Sequence, residues 1–251
     1  MIVANSIASA LQNPIAALLI GPLLAVLVLW LYRLAVHRIE RRPATELEPR
    51  GATRHVLIGL GGGFLLAATT IGVLALFGGY QITGWGSVTA ALTIVGIMSA
   101  VAVSEEVLFR GIIFRLIQHR WGTWLALGGS AVLFGLVHLI NPGATLWGAV
   151  AIAIEAGLLL GAAYTVTGSL WFPIGLHLGW NVTTGAIFGT VVSGSGTPDG
   201  LFTAINPGPV WLSGGAFGPE GSIIAVIASS IATAALLIVA HRRGRFVSSK
   251  H

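Results

Sequence analysis

The chain has 251 residues, 55% hydrophobic and 8% charged, with a formal net charge of +5 and no cysteine. A mean hydropathy of +0.90 lies outside the range of ordinary soluble domains, and the lack of cysteine excludes a disulfide framework and thiolate chemistry. In so apolar a chain the excess of Lys and Arg reads as anchors at a membrane surface, so a nucleic-acid partner is not expected.

Several apolar runs reach the roughly 20 residues needed to cross a hydrocarbon core, and the short alternating segments of a β-barrel are absent. The expected class is an all-α, polytopic transmembrane helix bundle of about seven spans. Residues 1–14 form a mixed lead without a basic n-region, so no cleaved signal peptide is expected. A first span covers about 15–32, with Gly21-Pro22 as an expected kink. The most charged stretch follows at 33–54. A second span covers about 55–77, and its glycines at 59 and 61–63 permit close helix contact. A Gly-rich turn at 78–86 leads to a third span from about 87 to 114, and the basic stretch RLIQHRWG occupies 115–122. The remaining spans are placed at about 123–140, 145–166, 170–192 and 222–240, with a long Gly-rich loop at 193–221. We divide the chain into an N-terminal span with its basic loop, 1–54, and a helix bundle, 55–251, whose polar motifs lie within 100–190.

All 13 basic residues fall in three places: six in 33–54, three in 110–120 and four in the tail. With seven spans these places share one side, which the positive-inside rule makes cytoplasmic. The N-terminus and the 193–221 loop, which has no Lys or Arg, are then outside.

Against this apolar background Glu105 and Glu106 stand side by side. A charge within a bilayer costs at least about 2.5–3.5 kcal/mol, and adjacent carboxylates repel each other unless one is paired or protonated. Glu106 and Arg110 are four apart on one helical face and can pair, whereas Glu105 points about 100° away. A helix end at the water surface with an ordinary ion pair would also account for these residues.

Three more polar clusters interrupt apolar runs. His138 ends the fourth span, His177 and Asn181 share a face of the sixth, and Glu155 lies midway along the fifth. Taken singly, His138 reads as an interfacial or hydrogen-bonded histidine, His177 and Asn181 as an interhelical hydrogen-bonding pair, and Glu155 as an inward-facing structural group. Trp171, Phe172 and Trp180 read as anchors and packing. Taken together, glutamate, histidine and asparagine converging from separate spans are the parts of a hydrolase: a carboxylate to activate water, and imidazole and amide groups to hold a metal or an oxyanion.

The ordered motifs Glu105-Glu106-Val-Leu-Phe-Arg110, Phe134-Gly-Leu-Val-His138 and His177-Leu-Gly-Trp-Asn181 resemble those of the CPBP family, the CAAX-protease and bacteriocin-processing (Abi-like) intramembrane peptidases. The resemblance implies an intramembrane endopeptidase acting on a membrane-embedded or lipidated protein or peptide, prenylated CAAX-type substrates included, with the lipid bilayer as its medium. It implies Glu105 as the base, His138, His177 and Asn181 as the other catalytic groups, and Glu106 with Arg110 as the supporting pair. Two mechanisms accompany the family: a zinc site, for which His138 and His177 would be ligands beside a carboxylate, and metal-free glutamate catalysis. The competing functions are a non-proteolytic immunity or binding protein of the same fold and a proton-coupled transporter. One tension stands. A third span ending near 114 puts Glu105 close to its inner end and His138 near the outer end of the fourth, unless the third helix runs on to about Arg115.

Overall fold

A computed structural model of the chain describes residues 14–196 and 199–249. The start of the chain, where no signal peptide is expected, lies up to residue 13 outside the described residues, as do two residues of the 193–221 loop and the last two of the tail.

Helix α1 (Pro14–Ala35) is prolonged by a π-helical turn, Val36–Glu40. Helix α2 spans Ala52–Leu76. After strand β1 (Gln81–Trp85), Ser87 caps helix α3 (Val88–Glu106) by accepting from the Ala90 amide. A π-helical segment, Val107–Phe114, runs on into α4 (Arg115–Val137). Then come α5 (Leu146–Ile152), a π segment Ala153–Leu158 and α6 (Leu159–Thr167). Helix α7 (Trp171–Asn181) passes into a third long π segment, Val182–Ile187. Strand β2 (Phe202–Ile205), the short α8 (Val210–Ser213) and α9 (Ile223–Arg242) complete the order.

Five helical stretches are long and apolar enough to cross a membrane, and the third, Val88–Ile140, is two rods in one. Gly122 breaks it with φ 84° and ψ 174°. That backbone region suits glycine, and a Cβ there would also lie 2.8 Å from the Val247 carbonyl oxygen. Together with the mostly buried rod of α7 and its π extension, this makes seven rods among the described residues, as the apolar runs led us to expect.

The structure corrects the expected boundaries in two places. Residues 115–121, read as a basic connector, are helical, so an unbroken rod extends from Val88 to Trp121. At 1.5 Å per residue it is about 50 Å long, well beyond a hydrocarbon core of about 30 Å. The 78–86 turn contains a strand, and β1 pairs antiparallel with β2 from the 193–221 loop.

The three basic segments meet at one end of the bundle. Arg115 contacts Glu40, and the Val247 amide in the tail donates to Thr123 Oγ1 at 2.9 Å. Arg110 is the exception among the basic residues, since it is fully buried. At the same end Glu46 is buried and accepts from Arg42. Burial alone would raise its pKa, but the bonds from Arg42 and Tyr32 outweigh it and hold the carboxyl below the usual range.

Helices α2 and α7 touch backbone to backbone through glycines at four-residue spacing on both partners, Gly59 with Gly63 and Gly175 with Gly179. A Cβ at Gly63 would lie 2.7 Å from the Trp180 nitrogen, and one at Gly179 would lie 3.0 Å from the Leu60 Cα. Without a hydrophobic force between helices in lipid, such close packing supplies the attraction. Gly63→Ala should therefore lower the melting temperature in detergent, at a cost of about 1–3 kcal/mol for overpacking. Gly61→Ala, where nothing lies within 4 Å, should not lower it. Equal melting of the two variants would contradict this packing.

Candidate active site

The centre of the site is a fully buried ion pair. Arg110 Nη1 donates to Glu106 Oε1 at 2.8 Å, and both side chains are 0% exposed. This is the pairing that the four-residue spacing leads one to expect. Two charges are costly to bury unless their remaining donors and acceptors are met. Arg110 Nη2 donates to the carbonyl oxygens of Ala156 and Gly157, at 3.1 Å each. These carbonyls belong to the π segment 153–158, whose wider turn departs from i→i+4 bonding. The guanidinium also lies 4.8 Å over the Phe134 ring, a cation–π contact.

His177 stands between the two glutamates. Its Nδ1 is 2.9 Å from Glu106 Oε1, and its Nε2 is 3.9 Å from Glu105 Oε2, too long for a direct hydrogen bond. Beside a carboxylate acceptor Nδ1 carries the proton, which fixes the ring and aims Nε2 at Glu105. The neighbouring carboxylates thus have different surroundings. Glu106 is sealed and bonded to two partners, while Glu105 retains 12% exposure.

On the other side of His177 lies an internal cavity lined by His138, His177, Asn181, Glu155, Glu220 and Phe134, among others. It offers water centres about 20 Å³, above the roughly 10–15 Å³ that one water needs. His138 Nδ1 donates to the Phe134 carbonyl at 2.6 Å, which leaves Nε2 as its second polar atom. The Asn181 amide reaches Met98 Sδ of α3 at 3.5 Å. Phe134 stacks at 4.6 Å on His138 and meets His177 edge-on at 6.4 Å. The first residue of the FxxxH motif is therefore the apolar wedge that sets both imidazoles and receives Arg110.

His138, His177 and Asn181 come together around this cavity. Glu105 joins them through His177 but is not among the lining residues. The tension in depth is resolved by the length of the α3–α4 rod. Glu105 lies 16 positions before Trp121 and His138 lies 15 after Thr123, so the fold-back at Gly122 brings them to similar heights. Glu155 faces the interior, as expected from its place in the span, and its Oε2 has no hydrogen-bond partner.

Glu220 was not singled out in the sequence as a site residue. It is buried in the turn before α9, accepts from Trp180 Nε1 at 2.8 Å and from Ser193 Oγ at 2.7 Å, and also accepts from the Ser193 amide. Burial pushes its carboxyl above the usual range, against the opposing effect of these donors and of nearby His138. Trp180, read as packing, is thus a hydrogen-bond donor within the HxxxN turn. A Trp inside a buried motif needs an acceptor, and an acid in a loop with only one other, Asp199, was the available signal.

The zinc ligands that the resemblance allows are tested by the donor set. Both nitrogens of His177 face glutamates, and His138 uses Nδ1 on the backbone. Among the described residues no group of three or more His, Cys, Asp or Glu is arranged to hold a metal ion. The arrangement does not fit a three-ligand site, and no step below runs through a metal.

Rods of membrane-crossing length around a buried cluster of carboxylate, imidazole and amide define a multi-pass membrane protein with a polar site inside its bundle. Residues 87–183, which contain all three motifs, match the family model of the Rce1-like type II CAAX prenyl endopeptidases, in keeping with the CPBP resemblance. That is a family of membrane proteases. No curated protein and no solved structure matches the chain.

Breaking a buried pair by removing one partner costs about 3–5 kcal/mol. Arg110→Leu and Glu106→Gln should each lower the melting temperature markedly. The double variant should fall less than the two losses added together, because neither charge is then stranded. Strict additivity in thermal melts would mean that the pair is not coupled.

Proposed function

We propose that the chain is an intramembrane endopeptidase that hydrolyses a peptide bond of a membrane-associated protein or peptide, prenylated CAAX-type substrates included, with Glu105 as the base. The observation that carries this reading is the position of His177, held by Glu106 on one nitrogen, facing Glu105 with the other, and walling a cavity shared with His138 and Asn181.

Glu105 takes a proton from water as the water oxygen bonds to the scissile carbonyl carbon. His177, protonated on both ring nitrogens between the two carboxylates, donates from Nε2 to the oxyanion that forms, and the Asn181 amide donates beside it. The C–N bond then breaks, and the proton held on Glu105 passes to the leaving amine. Glu106 and Arg110 do not touch substrate; they fix the ring of His177 and the π segment beside it. His138 lies across the cavity, where its Nε2 can bond the substrate or the departing product.

A membrane substrate is supported by an apolar groove of about 500 Å³ between α2 and α9. Leu66, Leu159 and Leu176 line both the groove and the cavity, so their side chains stand between a lipid-like environment and the polar site. The clustering of ionisable groups at one point is not what a proton-coupled transporter requires, with acid–base pairs strung across the membrane. The gathering of the basic segments at one end supports a cytoplasmic C-terminus and an outer N-terminus.

Glu105→Gln keeps the shape and removes only the proton acceptor. It should lower cleavage by at least the 10²–10⁴-fold typical of a general base (roughly), while the purified protein melts as wild type. In cells carrying Glu105→Gln, quantitative membrane proteomics should show one precursor accumulating. Wild-type turnover in the folded variant would refute the assignment of Glu105.

A further inference from the structure

The exposed apolar flank of α1, with Leu19, Leu23, Val26, Leu27 and Trp30, ends at two basic side chains. Arg33 and His37 lie one helical turn apart and are both exposed. Neither makes a hydrogen bond or ion pair among the described residues. Arg42, on the loop that faces them, is by contrast fully engaged: Nε donates to Glu40 at 2.7 Å, and Nη1 and Nη2 donate to Glu46 at 2.9 and 2.8 Å. Between the helix end and this loop is a cavity of about 440 Å³, lined by Arg33, His37, Arg42, Thr45, Leu47 and Glu48 among others.

We propose that this cavity binds the phosphodiester head group of a membrane phospholipid. Its position follows from the helix: the lipid-facing surface runs up to Trp30, an aromatic of the kind that sits at head-group level, and the cavity begins at the next turn. Its chemistry follows from the free donors. Arg33 is always cationic and His37 carries an N–H in either charge state. The apolar part of the lining, which includes Leu47, Ala44 and the prolines at 43 and 49, suits the glycerol and the first methylenes. The Glu48 carboxylate on the rim, which makes no hydrogen bond or ion pair among the described residues, disfavours heavily charged head groups and favours a singly charged phosphodiester, with an amine donor where one is present.

The site also reaches the active helix. Glu46, the partner of Arg42, contacts the Tyr32 hydroxyl, which lies 2.8 Å from the Gly111 carbonyl oxygen. Arg115 Nε donates to the same carbonyl at 2.8 Å. A head group seated on this loop would stiffen the segment that follows Glu105 and Glu106. The proposal does not depend on the peptidase reading.

The test is native mass spectrometry and thermal melting of the full chain in detergent. Dioleoyl phosphatidylethanolamine, phosphatidylglycerol and phosphatidylcholine are added in turn, with inorganic phosphate as a separate arm. Wild type should retain a phospholipid and gain melting temperature. Arg33→Gln with His37→Gln should weaken retention by roughly fivefold or more, the contribution of one Arg at a membrane surface, yet melt as wild type without lipid, since neither side chain has a hydrogen-bond or ion-pair partner among the described residues. Arg33→Lys should keep most of the binding. Arg38→Gln, an exposed cation outside the lining, should retain lipid as wild type does. Equal retention by the double variant overturns the site. An equal loss in Arg38→Gln overturns it in favour of diffuse surface attraction, and a full shift with inorganic phosphate alone and no lipid adduct overturns the lipid as its ligand.

Discussion

The Arg110–Glu106 pair is the constraint around which the interior is arranged. Two charges with no exposure, in a bundle otherwise packed by apolar side chains, are tolerable only with strong compensating partners. The structure supplies partners from three segments, the Ala156 and Gly157 carbonyls, the face of Phe134, and His177 Nδ1, while Glu106 Oε2 and Arg110 Nε are left without a hydrogen bond among the described residues. The 107–114 segment, the 153–158 segment and α7 are thereby tied to one guanidinium and one carboxylate. What is left over is Glu105, about 100° around the helix from Glu106, with partial access to water and the second nitrogen of His177 facing it. The division of labour between the two glutamates is a consequence of where the first one had to be paired.

The π-helical segments belong to the same solution. Three of the long ones begin at or contain a residue of the site: Val107 follows Glu106, Glu155 lies within 153–158, and Val182 follows Asn181. A π turn shifts the side chains that follow it and relaxes the i→i+4 pattern, which gives Arg110 carbonyls to bond in the middle of a helix. Such segments lose some helical regularity, and here that loss is offset by charge-assisted bonds from buried side chains.

Much of the fold was legible in the chain because lipid imposes a simple rule on it: apolar runs of sufficient length become rods. The Glu106–Arg110 pair was legible too, since its partners are four apart on one helix. The length of the α3–α4 rod was not. Arg115, Gln118, His119 and Arg120 read as a loop because they are polar, but helix does not end where the membrane does, and only Gly122 can take the fold-back angle. Glu220 and Ser193 escaped notice for a different reason. They come from a Gly-rich loop with no periodic pattern, and the contacts of Glu220 with Trp180, 40 residues away, and with Ser193, 27 residues away, are ones that no local spacing encodes. Trp180 itself lay within a motif, and its indole N–H was the one sign that an acceptor had to arrive from elsewhere.

The most direct test of this account is the protonation of His177 in the membrane. In ¹⁵N-histidine-labelled protein reconstituted in lipid, comparison with His177→Gln assigns its two ring nitrogens by solid-state NMR. With Glu106 as its fixed acceptor, Nδ1 should be protonated near neutral pH, and that state should be lost in Glu106→Gln but kept in Glu105→Gln. An unprotonated Nδ1 in wild type, or a ring state that follows Glu105 and ignores Glu106, would contradict the assignment of Glu106 as the brace and Glu105 as the free carboxylate.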